Sequence, residues 1–150
     1  MKQPEILIIG SGVMGRGIAK SFVSAGISTA ILSRNVANVT AGVDERVALI
    51  EKLPPNAPGL IIEAVPEMMA VKLNSYAVIE AAYAGKPVLS SNTSTLDLEE
   101  LARPLQHPER FLGIKSGKGF YDWSGKDPAE VKAEAARKLG DLLAYLKEHR

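Results

Sequence analysis

The chain contains no cysteine. That excludes a disulfide framework and any thiolate metal site, and it permits a reducing compartment. Histidine is nearly as scarce: His107 and His149 are the two in the chain, so few groups suited to proton transfer near neutral pH are present. No apolar run approaches the roughly 18 residues of a membrane span. Lys2 precedes an apolar run, but Glu5 and the glycines of IIGSGVMGRG interrupt it, which argues against a signal peptide. A net charge of +1 gives no electrostatic case for nucleic acid or an anionic membrane. The expectation is a soluble, cytoplasmic protein with a small-molecule partner.

What remains is ordinary globular material, 46% hydrophobic and 23% charged over 150 residues, enough for one domain with a real core. Short β-branched runs alternate with longer helical ones, the pattern of βαβ units around a buried parallel sheet. Strands are expected over Glu5 to Gly10, Ser28 to Ser33, Arg46 to Ile50, Gly59 to Val65, Pro87 to Asn92 and Arg110 to Ile114. Helices are expected over Val13 to Ala25, Val71 to Ala84 and Leu96 to Leu101. The expected fold is a Rossmann-like, doubly wound α/β sheet of about six mostly parallel strands. In DPAE, Asp127 can cap a last helix with Pro128 at its first position and Glu130 reaching back. Val131, Ala135, Leu139, Leu142, Leu143 and Leu146 then share one face, making that helix amphipathic. Residues 1–114 read as the dinucleotide-binding domain and 115–150 as a loop and helix on it or on a partner.

Gly10-Ser11-Gly12-Val13-Met14-Gly15 is a GxGxxG placed after an apolar strand and opening a helix. Its glycines allow a tight turn, close approach of a pyrophosphate and close packing of helix on strand, while the helix N-terminus favours the anion. About 20 residues on, such folds place an Asp or Glu for the adenosine ribose, or an Arg for a 2′-phosphate. Here the second strand ends Leu32-Ser33-Arg34, with no carboxylate, so the residues leave NAD and NADP open and favour NADP. Further polar groups fall at expected strand ends, where ligands of doubly wound sheets bind: Glu67 with Lys72, Asn92 with Ser94, and Lys115. Glu67 and Lys72 also read as a surface ion pair, and Ser94 as a helix cap with Asp97 three residues on.

GSGVMGRGIA, IIEAVPE with Lys72, and SSNTSTL with PERFLG together resemble the 3-hydroxyacyl-CoA dehydrogenase family, in order and over about Met1 to Gly113. The resemblance implies hydride transfer between a nicotinamide cofactor and 3-hydroxyacyl or 3-oxoacyl-CoA. It places Glu67 and Lys72 near the nicotinamide-side ribose, Ser94 between cofactor and acyl-CoA, and Ser33 where the family has its ribose-binding Asp. The family's insertion between the second strand and the EAVPE strand, part of which holds CoA, is short here.

The family continues its sixth strand into a general-base histidine, whereas here Gly113-Ile114 is followed by Lys115 and KSGKGFYDW, which resembles a motif near the end of the family's helical domain. There the counterpart of Lys115 approaches the cofactor. Ser94 and Lys115 are thus the catalytic candidates, and the expected alternative to an enzyme is a nucleotide-binding module lacking the histidine and the substrate domain. Without the family's dimerising region the expectation is a monomer or weak homodimer.

Overall fold

The computed structural model describes residues 3–39 and 42–112, together with Gly125, Asp127, Glu130, Ala133, Glu134 and Arg137. The chain divides into two compact units, Met1–Leu112 and Gly113–Arg150. Lys115 and most of the expected last helix lie outside the described residues.

In the first unit five strands form one parallel sheet: β1 Ile6–Ile9, β2 Thr29–Leu32, β3 Ala48–Ile50, β4 Leu60–Glu63 and β5 Val88–Ser91. Their order is β3-β2-β1-β4-β5. β1 sits at the centre, and each of its four residues is buried. Successive side chains on a strand point to opposite faces. Accordingly Ile6 and Ile8 join Ala19 and Val23 in one cluster, while Leu7 and Ile9 join Tyr76, Ile79 and Tyr83 in another. Two apolar layers therefore need two helical covers. Full burial of each such aliphatic side chain stabilises by roughly 1.5–3 kcal/mol.

Helix α1, Val13–Ser24, covers the first face, burying Gly15, Ala19 and Val23 at helical spacing. Helix α2, Met69–Tyr83, covers the second with Lys72, Tyr76, Ile79 and Tyr83. One of those four inward positions is a lysine, which a buried helix face accepts only with a partner. α2 stops where Ala84 takes the left-handed conformation (φ 48°) and Gly85 follows at φ 71°. An alanine, not the glycine that follows it, thus holds the first left-handed position.

Helix α3, Leu98–Ala102, starts later than expected. Its cap is Asp97, whose side chain accepts from the Glu99 N–H at 2.7 Å, so the reading of Ser94 as the cap is corrected. Of the expected sixth strand, the described residues Arg110 to Leu112 make one parallel bridge, between Leu89 and Phe111, and the sheet has five strands among the described residues. Phe111 spends its side chain on the core instead, its ring centroid 5.6 Å from that of Tyr76. No helix among the described residues is long and apolar enough to cross a membrane.

Candidate functional site: a cleft at the carboxyl ends of the strands

β1 hands the chain to α1 through the glycine loop, and β4 ends beside it. Gly10 turns at φ +111°, and a Cβ there would run into the Ala64 carbonyl just past β4. Gly15 has the complementary constraint, since a Cβ there would strike the Gly10 carbonyl. These two positions need glycine for the chain's own packing. Gly12 does not. Its φ of −68° is ordinary, and an added Cβ would meet nothing within 4 Å. The open space beside it faces a cleft of about 1140 Å³. A bare backbone at the N-cap of a 12-residue helix, in open space, fits the close approach of an anionic group such as a pyrophosphate.

The cleft gathers most of the expected residues. Gly10, Ser11, Gly12, Val13 and Met14 form one wall, Ser33 and Arg34 another, and Glu67, Asn92 and Ser94 a third. Val13 and Met14 are large apolar side chains left 78% and 56% exposed at its mouth. Ser33 Oγ lies 3.0 Å from Ser11 Oγ, joining the end of β2 to the glycine loop. Gly15 lies beneath, buried in α1.

Lys72 corrects one of its two readings. The pair with Glu67 is not a surface one: the Lys72 side chain has 0% exposure and does not line the cleft. The reason is its place on the inward face of α2, where burial demands compensation of its charge. Its ammonium lies 2.7 Å from Glu63 Oε1 and 3.2 Å from Glu67 Oε2. Glu63, equally buried, is fully engaged: Oε1 also accepts from the Val65 N–H at 2.8 Å, and Oε2 accepts from the Tyr76 and Ser91 hydroxyls, each at 2.7 Å. Burial pushes the Tyr76 phenol up from its ordinary range, and the neighbouring carboxylate adds to that.

Glu67 connects this buried pair to the cleft. Its Oε1 accepts from the Thr93 hydroxyl, the Ser94 N–H at 2.9 Å, and the Thr95 N–H at 3.0 Å. The Thr93 hydroxyl, then the backbone donors of Thr95 and Ser94, and then Lys72, hold its carboxyl well below the usual carboxylate range. One carboxylate thereby fixes the loop after β5 to the loop after β4. Asn92 is tied to the sheet as well, its N–H donating to the Glu63 carbonyl at 2.7 Å.

His107 stands elsewhere. It precedes the 3-10 turn Pro108–Arg110, its N–H donates to Glu80 Oε1 at 2.9 Å, and its ring lies against Gly85, before β5 begins. That is the amino end of the sheet, opposite the cleft. Among the described residues no cluster of His, Cys, Asp and Glu could hold a metal ion.

Sequence reading missed Glu63 and Tyr76, although a lone acid closing the apolar run IIE, with Lys and Tyr four residues apart on the next helix, is a usable signal. It also missed Glu51, the first residue beyond β3, which lines the cleft.

A parallel, doubly wound sheet with a glycine loop at the switch point defines a dinucleotide-binding α/β domain. The family model described as "3-hydroxyacyl-CoA dehydrogenase, NAD binding domain" matches residues 5–56 and 50–115. The chain belongs to the 3-hydroxyacyl-CoA dehydrogenase family and comprises its NAD-binding domain. It is 30% identical to the fatty acid oxidation complex subunit alpha of Acinetobacter baylyi over an alignment of 137 positions, which covers 73% of this chain and 19% of that relative. The 3-hydroxyacyl-CoA dehydrogenase of Archaeoglobus fulgidus superposes with a TM-score of 0.66 at 26% identity, covering 74% of this chain and 41% of that one. The dehydrogenase part of multifunctional enzyme 1 from C. elegans gives 0.65 at 26% identity, covering 72% and 30%.

Proposed function

We propose that this chain holds NAD or NADP in the cleft above β1 and β4, and that on its own it is a nucleotide-binding module rather than a complete dehydrogenase. The observation that carries the binding half is Gly12. Nothing among the described residues requires glycine there, and the space it leaves opens onto the cleft at the start of α1. Bound there, the cofactor would supply or accept hydride. The chain's part is to bind and orient it: the glycine loop and α1 N-terminus against the phosphates, Ser33 and Arg34 toward the adenosine ribose, and Glu67, Asn92 and Ser94 toward the nicotinamide side.

Lys72 acts in this reading through Glu67, holding the carboxylate that fixes Ser94, rather than by touching the cofactor. The substrate class carried over from the family is 3-hydroxyacyl-CoA or 3-oxoacyl-CoA, with Ser94 between it and the cofactor and Lys115 as a cofactor contact. Alcohol oxidation needs a base within hydrogen-bond reach of the hydroxyl proton. His107, the one histidine among the described residues, lies at the other end of β5, so among those residues no histidine stands at the cleft for that role. The reading is completed by a monomer or weak homodimer.

The test pairs two measurements on the purified chain. NADH and NADPH binding is followed by nicotinamide fluorescence, and acetoacetyl-CoA-dependent oxidation of each is followed by absorbance. Binding without turnover is the expected result. Turnover well above background that disappears in Lys115→Ala would make the chain an enzyme, and absence of binding would remove the reading altogether.

A further inference from the structure

The cleft carries a carboxylate that the end of β2 lacks. β2 pairs with β3 in parallel, Leu32 opposite Ile50, and the Ser33 N–H donates to the Ile50 carbonyl at 2.9 Å. The residue after Ile50 is Glu51, which therefore emerges beside Ser33, one strand spacing of about 4.8 Å across. Glu51 lines the same cleft as Ser11, Ser33 and Arg34. Its Oε1 accepts from the Val36 N–H at 3.3 Å, which tethers the carboxylate to the turn leaving β2. Glu51 and Arg34 form no ion pair with each other among the described residues. The acid thus faces the cleft without being neutralised by the neighbouring cation.

We propose that Glu51 supplies from β3 the ribose-binding carboxylate absent from β2, and that it makes NAD the cofactor of this cleft in preference to NADP. The proposal rests on the dinucleotide reading above and reverses the preference that Ser33 and Arg34 suggest alone. A carboxylate accepts hydrogen bonds from free ribose hydroxyls. Against a 2′-phosphate it presents like charge and no donor. Glutamate is one methylene longer than the aspartate usual at the end of β2, which suits an approach from one strand further away.

Glu51→Gln keeps the length of the side chain and an oxygen for the Val36 N–H but removes the charge. Fluorescence titration of wild type with NADH and NADPH is expected to give tighter NADH binding, and Glu51→Gln is expected to narrow that ratio by roughly tenfold. Far-UV circular dichroism and melting temperature should stay unchanged, because Glu51 is exposed. Tighter NADPH binding by wild type, or an unchanged ratio in Glu51→Gln, overturns the proposal while leaving the dinucleotide site in place. Failure of wild type to bind either cofactor overturns both.

Discussion

The Lys72 ammonium stands 2.7 Å from the Glu63 carboxylate, and neither side chain reaches solvent. Removing one partner leaves a buried charge without compensation, which costs about 3–5 kcal/mol. Lys72→Met should therefore lower the urea midpoint strongly. Adding Glu63→Gln should cost less than the sum of the two single losses, since the orphaned charge goes with it. Strict additivity in the double variant would mean that the two groups are not coupled.

Tyr76 donates to Glu63 Oε2 at 2.7 Å from the same inward face of α2. Tyr76→Phe keeps the ring against Phe111 but leaves the carboxylate one donor short. A loss of about 1–3 kcal/mol is expected, with the far-UV circular dichroism unchanged. A neutral result would show that Ser91 and Val65 suffice to satisfy Glu63.

Glu67 gives the fold an acid-sensitive latch. Its carboxyl is held below the ordinary value of 4.5 by the Thr93 hydroxyl, the backbone donors of Thr95 and Ser94, and Lys72. In that window the unfolded chain takes up a proton that the folded chain refuses. The contribution is complete above about pH 4.5 and is lost as pH falls toward the folded value. Urea midpoints measured from neutral down to about pH 3 should fall more steeply in wild type than in Glu67→Gln. Parallel acid limbs would contradict this.

The two kinds of glycine separate in a single comparison. Gly12→Ala should fold normally and lose cofactor affinity by at least about tenfold, because its Cβ meets only the space above the helix start. Gly10→Ala should lose stability by roughly 1–3 kcal/mol, since it combines φ +111° with a collision at the Ala64 carbonyl. Equal affinity in Gly12→Ala and wild type would place the phosphates elsewhere.

The places of the first five strands along the chain and their parallel sense were legible because each apolar run is short and bounded by turn-forming residues, whereas their order across the sheet was not. The glycine loop was legible because its context, strand before and helix after, is specific. Phe111 misled: RFLGI reads as a strand, but the chain turns through Pro108–Arg110 and then uses Phe111 against Tyr76, leaving one bridge to Leu89. Lys72 misled for a different reason. Charge predicts exposure unless the partners are seen, and Glu63 lies nine residues back on another element. Glu51 was invisible while only the end of β2 was searched for an acid, because strand adjacency, not sequence distance, brings it to Ser33.

The contact of Gly15 with the Gly10 carbonyl has a consequence for how this domain changes. It sets the gap between α1 and β1 by backbone alone, because a Cβ on Gly15 would strike the Gly10 carbonyl. On the reading proposed above, discrimination between ligands falls to Ser33, Arg34 and Glu51, which line the cleft at the ends of β2 and β3. If that reading holds, the domain is a socket with exchangeable keys: ligand preference can change at two strand tips while the packing of helix on strand stays as it is.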